Sequence, residues 1–268
     1  MKLTSQGSSA VLDSKGAYLS SLTLGGLKIL LETEDGRQTH GGACNLIPYA
    51  GRIRKGTYSF MGRTYRFPTG EDGNSIHGFA REAAFEAKAV SECSALFTAV
   101  LEDSGYPSTL DAALSYELSE TALLVSYDIR NTGSVPAPLV IGSHPYFLTQ
   151  GNWKLTPASN ARKLQLADGY FPDGTYSEFD FAEKLYEMQL DTCFEGGGEL
   201  LLSSGRGELS LRRKNMDFFL VYNGRYTRGE SVAVEPITGA PDAYNNSIGL
   251  RVLAPGEKFS CSFTVEML

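Results

Sequence analysis

The chain has 268 residues, a net charge of −7 and a pI near 5.1. An acidic balance of this kind excludes a nucleic-acid binder, which needs concentrated basic surface, and gives no steering toward an anionic membrane. At 42% hydrophobic and 21% charged, with aromatic residues spread along its length, it is no disordered chain, and it supplies a sizeable core for one domain over residues 1–268.

The start, MKLTSQGSSAVLDSKG, has one early lysine and no apolar stretch after it. It does not read as a secretory signal, and no later run reaches bilayer-spanning length, so a soluble, cytoplasmic chain is expected. The four cysteines, Cys44, Cys93, Cys193 and Cys261, are far apart and form no CxxC pair. They read as reduced thiols.

His40 follows a charged loop in GRQTHGG and reads as structural or merely exposed. Next comes NLIPYAGRIRKG, where Arg52 and Arg54 alternate with Ile53. On a strand the two arginines share a face. They could clamp a sugar hydroxyl or an anionic group, or simply form a basic edge that discourages aggregation. GTYSFMGRTYRFP predicts a hairpin with Met61–Gly62 near its tip. His77, in NSIHGFARE, belongs to a loop or strand end.

Period-two patterning then dominates. In TLDAALSYELS, Leu110, Ala112, Leu114, Tyr116 and Leu118 alternate with mostly polar residues, and Leu123, Val125, Tyr127 and Ile129 do so in ALLVSYDIRN. Each such strand has one core face and one wetter face, as in antiparallel sheets covered on one side. Asn131–Thr132–Gly133–Ser134 closes the second of them. His144 follows in IGSHPYF, where Pro145 biases its backbone to an extended form. A histidine titrates nearest neutrality, so His77 and His144 are each read two ways, as catalytic groups or as packed or surface residues.

Residues 178–190, EFDFAEKLYEMQL, are the best candidate for a short helix. Asp191, in LDTCF, sits among apolar neighbours, where it can accept hydrogen bonds from sugar hydroxyls or cap a turn. Gly196–Gly197–Gly198 reads as a loop, with no Lys-Ser/Thr after it to make a phosphate cradle. Glu235 ends the apolar run Val232, Ala233, Val234 and precedes Pro236 and the loop PDAYNN. Desolvation there would raise its pKa and make it a base near neutral pH, while a strand-end salt bridge is the plainer reading. The chain ends on another alternating run, Phe259, Cys261, Phe263, Val265 and Met267.

Many short strands with frequent turns indicate an all-β sandwich or barrel. No His or Cys cluster has metal-ligand spacing, so no metal is expected. No GxSxG elbow and no dinucleotide fingerprint is present.

Five segments in order, YAGRIRKGTYSF, NSIHGFARE, GSHPYF, LDTCF and VEPITGAPDAYNN, resemble the aldose 1-epimerases. The resemblance runs from about residue 40 to the C-terminus. It implies a large antiparallel β-sandwich of the galactose mutarotase-like kind, a sugar cleft on one face, and cofactor-free interconversion of the α and β anomers of free aldoses. It maps the catalytic glutamate onto Glu235, the two active-site histidines onto His77 and His144, and the substrate-holding arginine and aspartate onto Arg52 and Asp191. Gly51 stands where the family commonly has asparagine. On this mapping Glu235 is the base, His144 the acid, His77 a group near the ring oxygen, and activity bell-shaped in pH. The partner is then a small-molecule sugar, with no nucleic acid and no membrane. The string HGFAR also resembles the hexose-6-phosphate 1-epimerase branch, for which Arg81, Arg54, Lys55 and Arg63 could supply an anion pocket. A non-catalytic carbohydrate-binding domain on the same fold is the third expectation.

Overall fold

A computed structural model describes residues 1–268. Two antiparallel sheets carry most of the strands. The eleven-stranded sheet runs, in spatial order, through Lys2–Ser5, Ser8–Asp13, Tyr18–Leu24, Ala43–Leu46, Gly142–Leu148, Ser231–Ile237, Phe218–Tyr222, Asp191–Glu195, Arg162–Leu166 and Pro172–Ser177, with Leu27–Lys28 paired beside the third. The eight-stranded sheet runs through Glu86–Ala89, Ser94–Leu101, Leu110–Leu118, Ala122–Asn131, Lys258–Met267, Gly207–Lys214, Glu199–Ser204 and Lys154–Pro157. This is the all-β, antiparallel architecture expected. No helix is long and apolar enough to cross a membrane.

The alternation read from the sequence is the alternation of burial. Leu110, Ala112, Leu114, Tyr116 and Leu118 are buried, whereas Asp111 and Glu117 are exposed. Those buried faces join Phe147, Phe194, Phe219, Val232 and Val234 of the larger sheet in one apolar cluster between the layers. Burying each such side chain stabilises the fold by about 1.5–3 kcal/mol. The hairpin forms as Thr57–Phe60 and Arg63–Arg66, with Met61 at φ 49° and Gly62 at φ 75°. Positive φ at both central residues suits the right-handed strand twist. All four cysteines are free.

Two local expectations fail. Residues 178–190 form no α-helix, only a single 3-10 turn at Leu185–Glu187. Phe179 and Phe181 both pack on Phe194, with ring centroids 4.9 and 5.1 Å away. Residues two apart meet one partner in extended chain, not on a helix face. Arg52 and Arg54 do not share a strand either. The strand is only Arg52–Ile53, and Lys55 at φ 54° turns the chain immediately after it.

Parity on the larger sheet positions the site. Val232 and Val234 point into the inter-sheet core, so Ala233, Glu235 and Ile237 point to the opposite face. On neighbouring strands the same outer face carries Cys44, His144, Tyr146, Cys193, Leu220 and Tyr222. That face has its own small apolar cluster, including Cys44, Cys193, Leu220 and Ile237, and Cys193 and Leu220 of it line a cavity.

Candidate active site

Glu235 and His144 are neighbours by register. The pairing of Gly142 with Ile237 and of Tyr146 with Ala233 sets His144 opposite Glu235 on adjacent strands. Their side chains meet, with His144 Nε2 3.2 Å from Glu235 Oε1. Glu235 is 2% exposed and His144 5%. Tyr146 lies two residues past His144 on the same face and stacks on its ring at 4.6 Å.

Three loops complete the walls, and backbone contacts between the motifs fix them. Gly78 approaches so closely that a Cβ there would lie 2.1 Å from the Ile47 carbonyl oxygen. That oxygen accepts from the backbone N–H groups of Phe79 and Ala80, both at 3.0 Å. His77 itself sits at φ 64°, and its N–H donates to the Gly51 carbonyl at 2.9 Å. This left-handed turn swings the His77 ring to 5.3 Å from that of His144, edge to face. The loop after Glu235 docks on the arginine segment. The Asp242 N–H donates to the Arg52 carbonyl at 2.8 Å, and Asp242 Oδ1 accepts from the Arg54 N–H at 3.0 Å.

Arg52 reaches inward from there. Its guanidinium lies 3.7 Å over the Tyr170 ring, donates through Nε to Asp72 at 2.7 Å, and places Nη1 3.8 Å from Asp191 Oδ2. A planar fork held by stacking and one carboxylate keeps its remaining donors aimed. Asp191 is cross-strand partner to Tyr222 at the same wall.

These side chains line one cavity of about 420 Å³, which contains His77, His144, Arg52, Asp191 and Glu235 together. Residues separated by up to 183 positions in the chain thus meet in one place. Two other surface hollows, of 580 and 650 Å³, are more open and carry no histidine. Four buried side-chain polar atoms in the whole chain lack a hydrogen-bond partner: Gln38 Oε1, His77 Nδ1, Arg81 Nε and His144 Nδ1. Two of them, on His77 and His144, belong to side chains that line this cavity, and Gln38 sits between the lining residues Arg37 and Thr39. Buried polar groups are otherwise paired, and exceptions gather at functional sites. No three His, Cys, Asp or Glu side chains are grouped to hold a metal ion.

The electrostatics follow from burial. Burial raises Glu235 well above the ordinary carboxylate range; Asp191 adds to this and Arg52 opposes it. Burial pushes His144 down to about 3, with its own backbone opposing and His40 adding a little. His77 is held well below its usual value, first by burial and then by His144, Arg81 and Arg52. Asp191 is raised by burial and lowered by Arg52. Charge is disfavoured on both members of the central pair, which favours a protonated Glu235 beside a neutral His144. In that state the pair carries no net charge.

The structure also adds to the sequence reading in one respect and corrects it in another. His40, read as structural or merely exposed, keeps 13% of its side chain exposed and lines the cavity. Arg54, Lys55, Arg63 and Arg81 do not line it. Arg54 instead pairs with Asp168 at 2.5 Å and lies over Phe171, and Arg81 pairs with Glu82 at 3.6 Å. Tyr146 and Tyr222 carried a usable signal, being in strand register with His144 and Asp191. Tyr170, Asp72 and Tyr226 reach the cavity from loops, and nothing local marks them.

Comparison with known proteins agrees with this fold. The family model "Aldose 1-epimerase" matches residues 1–266. An uncharacterized protein of Escherichia coli K12, YihR, is 27% identical over 278 residues, covering 96% of this chain and 89% of its own. The galactose mutarotase of Rattus norvegicus is 31% identical over 128 residues, 46% of this chain and 36% of that protein. A galactose mutarotase-like protein from Lactobacillus casei superposes with a TM-score of 0.86 at 20% identity, covering 100% of this chain and 99% of that one. The chain belongs to the aldose 1-epimerase family.

Proposed function

We propose that this protein interconverts the α and β anomers of a free, neutral aldose by acid–base opening and closing of the ring. The observation that carries the proposal is the buried His144–Glu235 contact at 3.2 Å, facing a cavity that Arg52 and Asp191 also enter. Both reacting oxygens of a cyclic aldose, the anomeric hydroxyl and the ring oxygen, are bonded to C1. An acid and a base side by side reach them together.

The resting pair first passes its proton from Glu235 to His144 across the 3.2 Å contact, and the Glu235 carboxylate so formed takes the proton of the anomeric hydroxyl. The C1=O1 double bond forms as the C1–O5 bond breaks, and its electron pair leaves on O5, which takes the proton of the His144 imidazolium. The open-chain aldehyde then faces protonated Glu235 and neutral His144. Rotation about C1–C2 presents the other aldehyde face, and reversal of both transfers closes the ring as the other anomer. The pair carries zero net charge before and after the two transfers taken together, so with both made in concert the low-dielectric site holds no isolated charge. The neutral pair favoured by burial is the protonation state that faces the open chain. Arg52 and Asp191 hold hydroxyls and fix the reacting atoms in place, and His77 sits beside His144 toward the ring oxygen.

The lining favours a neutral sugar over an anionic one. It includes the acidic side chains of Glu71, Asp72 and Asp191, besides Glu235 of the neutral pair, against the guanidiniums of Arg37 and Arg52. The test follows pure anomers of neutral, phosphorylated and sulfonated hexoses by NMR or polarimetry. The expected result is accelerated exchange, fastest on a neutral hexose, with Glu235→Gln slower by about 10²–10⁴-fold and sugar binding retained. Faster exchange on a phosphorylated or sulfonated hexose would make the substrate anionic. Binding with no acceleration would make the protein a carbohydrate-binding domain, and substantial turnover by Glu235→Gln would remove that residue from the mechanism.

A further inference from the structure

The cavity mouth is built by two loops, residues 33–40 and 224–228, whose side chains the proton transfers leave unused. They are fastened to each other. The Arg228 guanidinium donates to the Glu32 carbonyl at 3.0 Å and pairs with Glu34. The His40 ring stacks on that of Tyr226, with centroids 3.6 Å apart and planes 13° from parallel. A third contact ties the mouth to the floor. The Tyr146 hydroxyl donates to the Thr39 carbonyl at 2.6 Å, and the same Tyr146 ring stacks on His144.

His40 is therefore fixed on one face by Tyr226, and one edge is fixed as well. Its Nδ1 lies 2.7 Å from Asp35 Oδ2. Asp35 is itself held, with Oδ1 accepting from the Arg37 N–H and the Thr33 hydroxyl, both at 3.0 Å. An ionised carboxylate only accepts, so Nδ1 must carry the proton it donates. In the neutral ring this leaves Nε2 as an acceptor. Nε2 has no hydrogen-bond partner in the protein, and the side chain keeps 13% of its surface exposed, on a residue that lines the cavity. A partly buried, oriented histidine on the wall of a sugar-sized cavity, with one nitrogen committed and the other unpartnered, is a built recognition group.

We propose that His40 is a specificity-determining residue whose Nε2 accepts a hydrogen bond from a sugar hydroxyl remote from the anomeric carbon, with Asp35 as the positioning residue that sets its tautomer. This rests on the assignment of the cavity as an aldose site. A free hydroxyl has the proton that an acceptor nitrogen requires. Phosphate and sulfonate oxygens at neutral pH have little or none to offer. The flat His40–Tyr226 stack also gives the C–H face of a pyranose an apolar surface.

The experiment compares wild type, His40→Ala, His40→Gln and Asp35→Asn on a parent hexose and its monodeoxy derivatives. His40→Ala is expected to raise KM about 3–10-fold, the loss of one neutral hydrogen bond, with kcat changed less than about 2-fold. One deoxy sugar should show the same KM with wild type and His40→Ala, because the bond is already gone from the substrate side. His40→Gln, which restores an acceptor, should recover part of the loss, and Asp35→Asn should fall between wild type and His40→Ala. Unchanged KM in both His40 variants, or an equal penalty for every deoxy sugar in wild type and variant, overturns the inference. Ligand-observed NMR of sugar binding to the same proteins separates it from the epimerase assignment. A wild type that accelerates no anomer exchange yet loses binding to one deoxy sugar only when His40 is present refutes the chemistry and supports the contact. Equal binding by wild type and His40→Ala refutes the contact alone.

Discussion

Replacing Glu235 by glutamine should stabilise this protein, and increasingly so as pH rises. In the unfolded chain a glutamate ionises near pH 4.3. In the folded chain burial holds the Glu235 carboxyl protonated well above that, with Asp191 adding and only Arg52 opposing. Between the two values the unfolded state has released a proton that the folded state keeps. Stability then falls as pH rises, by at most about 1.4 kcal/mol per pH unit, and the loss is complete at the folded pKa. Glutamine removes the titration, keeps the shape, and its amide can donate to His144 Nε2, so the contact at 3.2 Å survives. From pH 5 to pH 7 the variant should gain up to about 2.7 kcal/mol on wild type, a Tm difference on the order of 5–10 °C for a chain of this size. His144 titrates in the opposite sense, being pushed down to about 3, but it is present in both proteins and largely cancels in the difference. Thermal unfolding of both proteins from pH 4.5 to pH 8 measures the effect. A flat difference would mean Glu235 keeps an ordinary pKa. A wild type that gains on the variant with rising pH would show an ionised Glu235 paired with imidazolium at rest, and the neutral-pair argument would be wrong.

Two substitutions test the supporting structure. Arg52→Lys keeps the charge but loses the stack on Tyr170 and the fork shared by Asp72 and Asp191; it should raise KM about 10–100-fold in steady-state assays, the loss of one charge-assisted hydrogen bond, and shift Tm little because the side chain is 21% exposed. Gly78→Ala and Gly62→Ala both add a Cβ at positive φ, but only the first meets backbone, at 2.1 Å from the Ile47 oxygen, while the second meets nothing within 4 Å. Urea unfolding should show about 1 kcal/mol lost for Gly62→Ala and at least about 3 kcal/mol for Gly78→Ala, with His77 displaced and activity falling only in the latter.

Much of the fold is legible in the sequence because strand burial is a local, period-two property. Leu110–Leu118 and Ala122–Asn131 announce themselves, and so does the Met61–Gly62 turn. The segment at 178–190 misleads because its composition suits a helix while its burial is settled by Phe194 and Phe219, which no local rule contains. Arg54 misleads because one left-handed residue, Lys55, ends a strand that the alternation would continue. At the site, the motifs around Glu235, His144, His77, Arg52 and Asp191 single those residues out. What they cannot give is register, since strands some 90 positions apart become neighbours only through the sheet order.

The register is also what brings the pair together. A histidine and a glutamate on one strand would need a spacing of two to share a face, and would then point side by side with a variable gap. On adjacent antiparallel strands, opposite positions are the closest that two same-face side chains can be. The sheet therefore fixes the His144–Glu235 separation through backbone hydrogen bonds rather than through side-chain packing alone. His40 shows the other extreme. Its placement depends on Asp35, Tyr226 and Tyr146, which come from three separate segments, and one of them lies nearly 190 residues away. Groups whose roles follow from strand parity can be read early, and those held by loop-to-loop contacts only after folding. A hydroxyl-reading role for His40 would accordingly place the proton transfers on the rigid sheet and substrate choice on the loops, where it can vary without disturbing the chemistry.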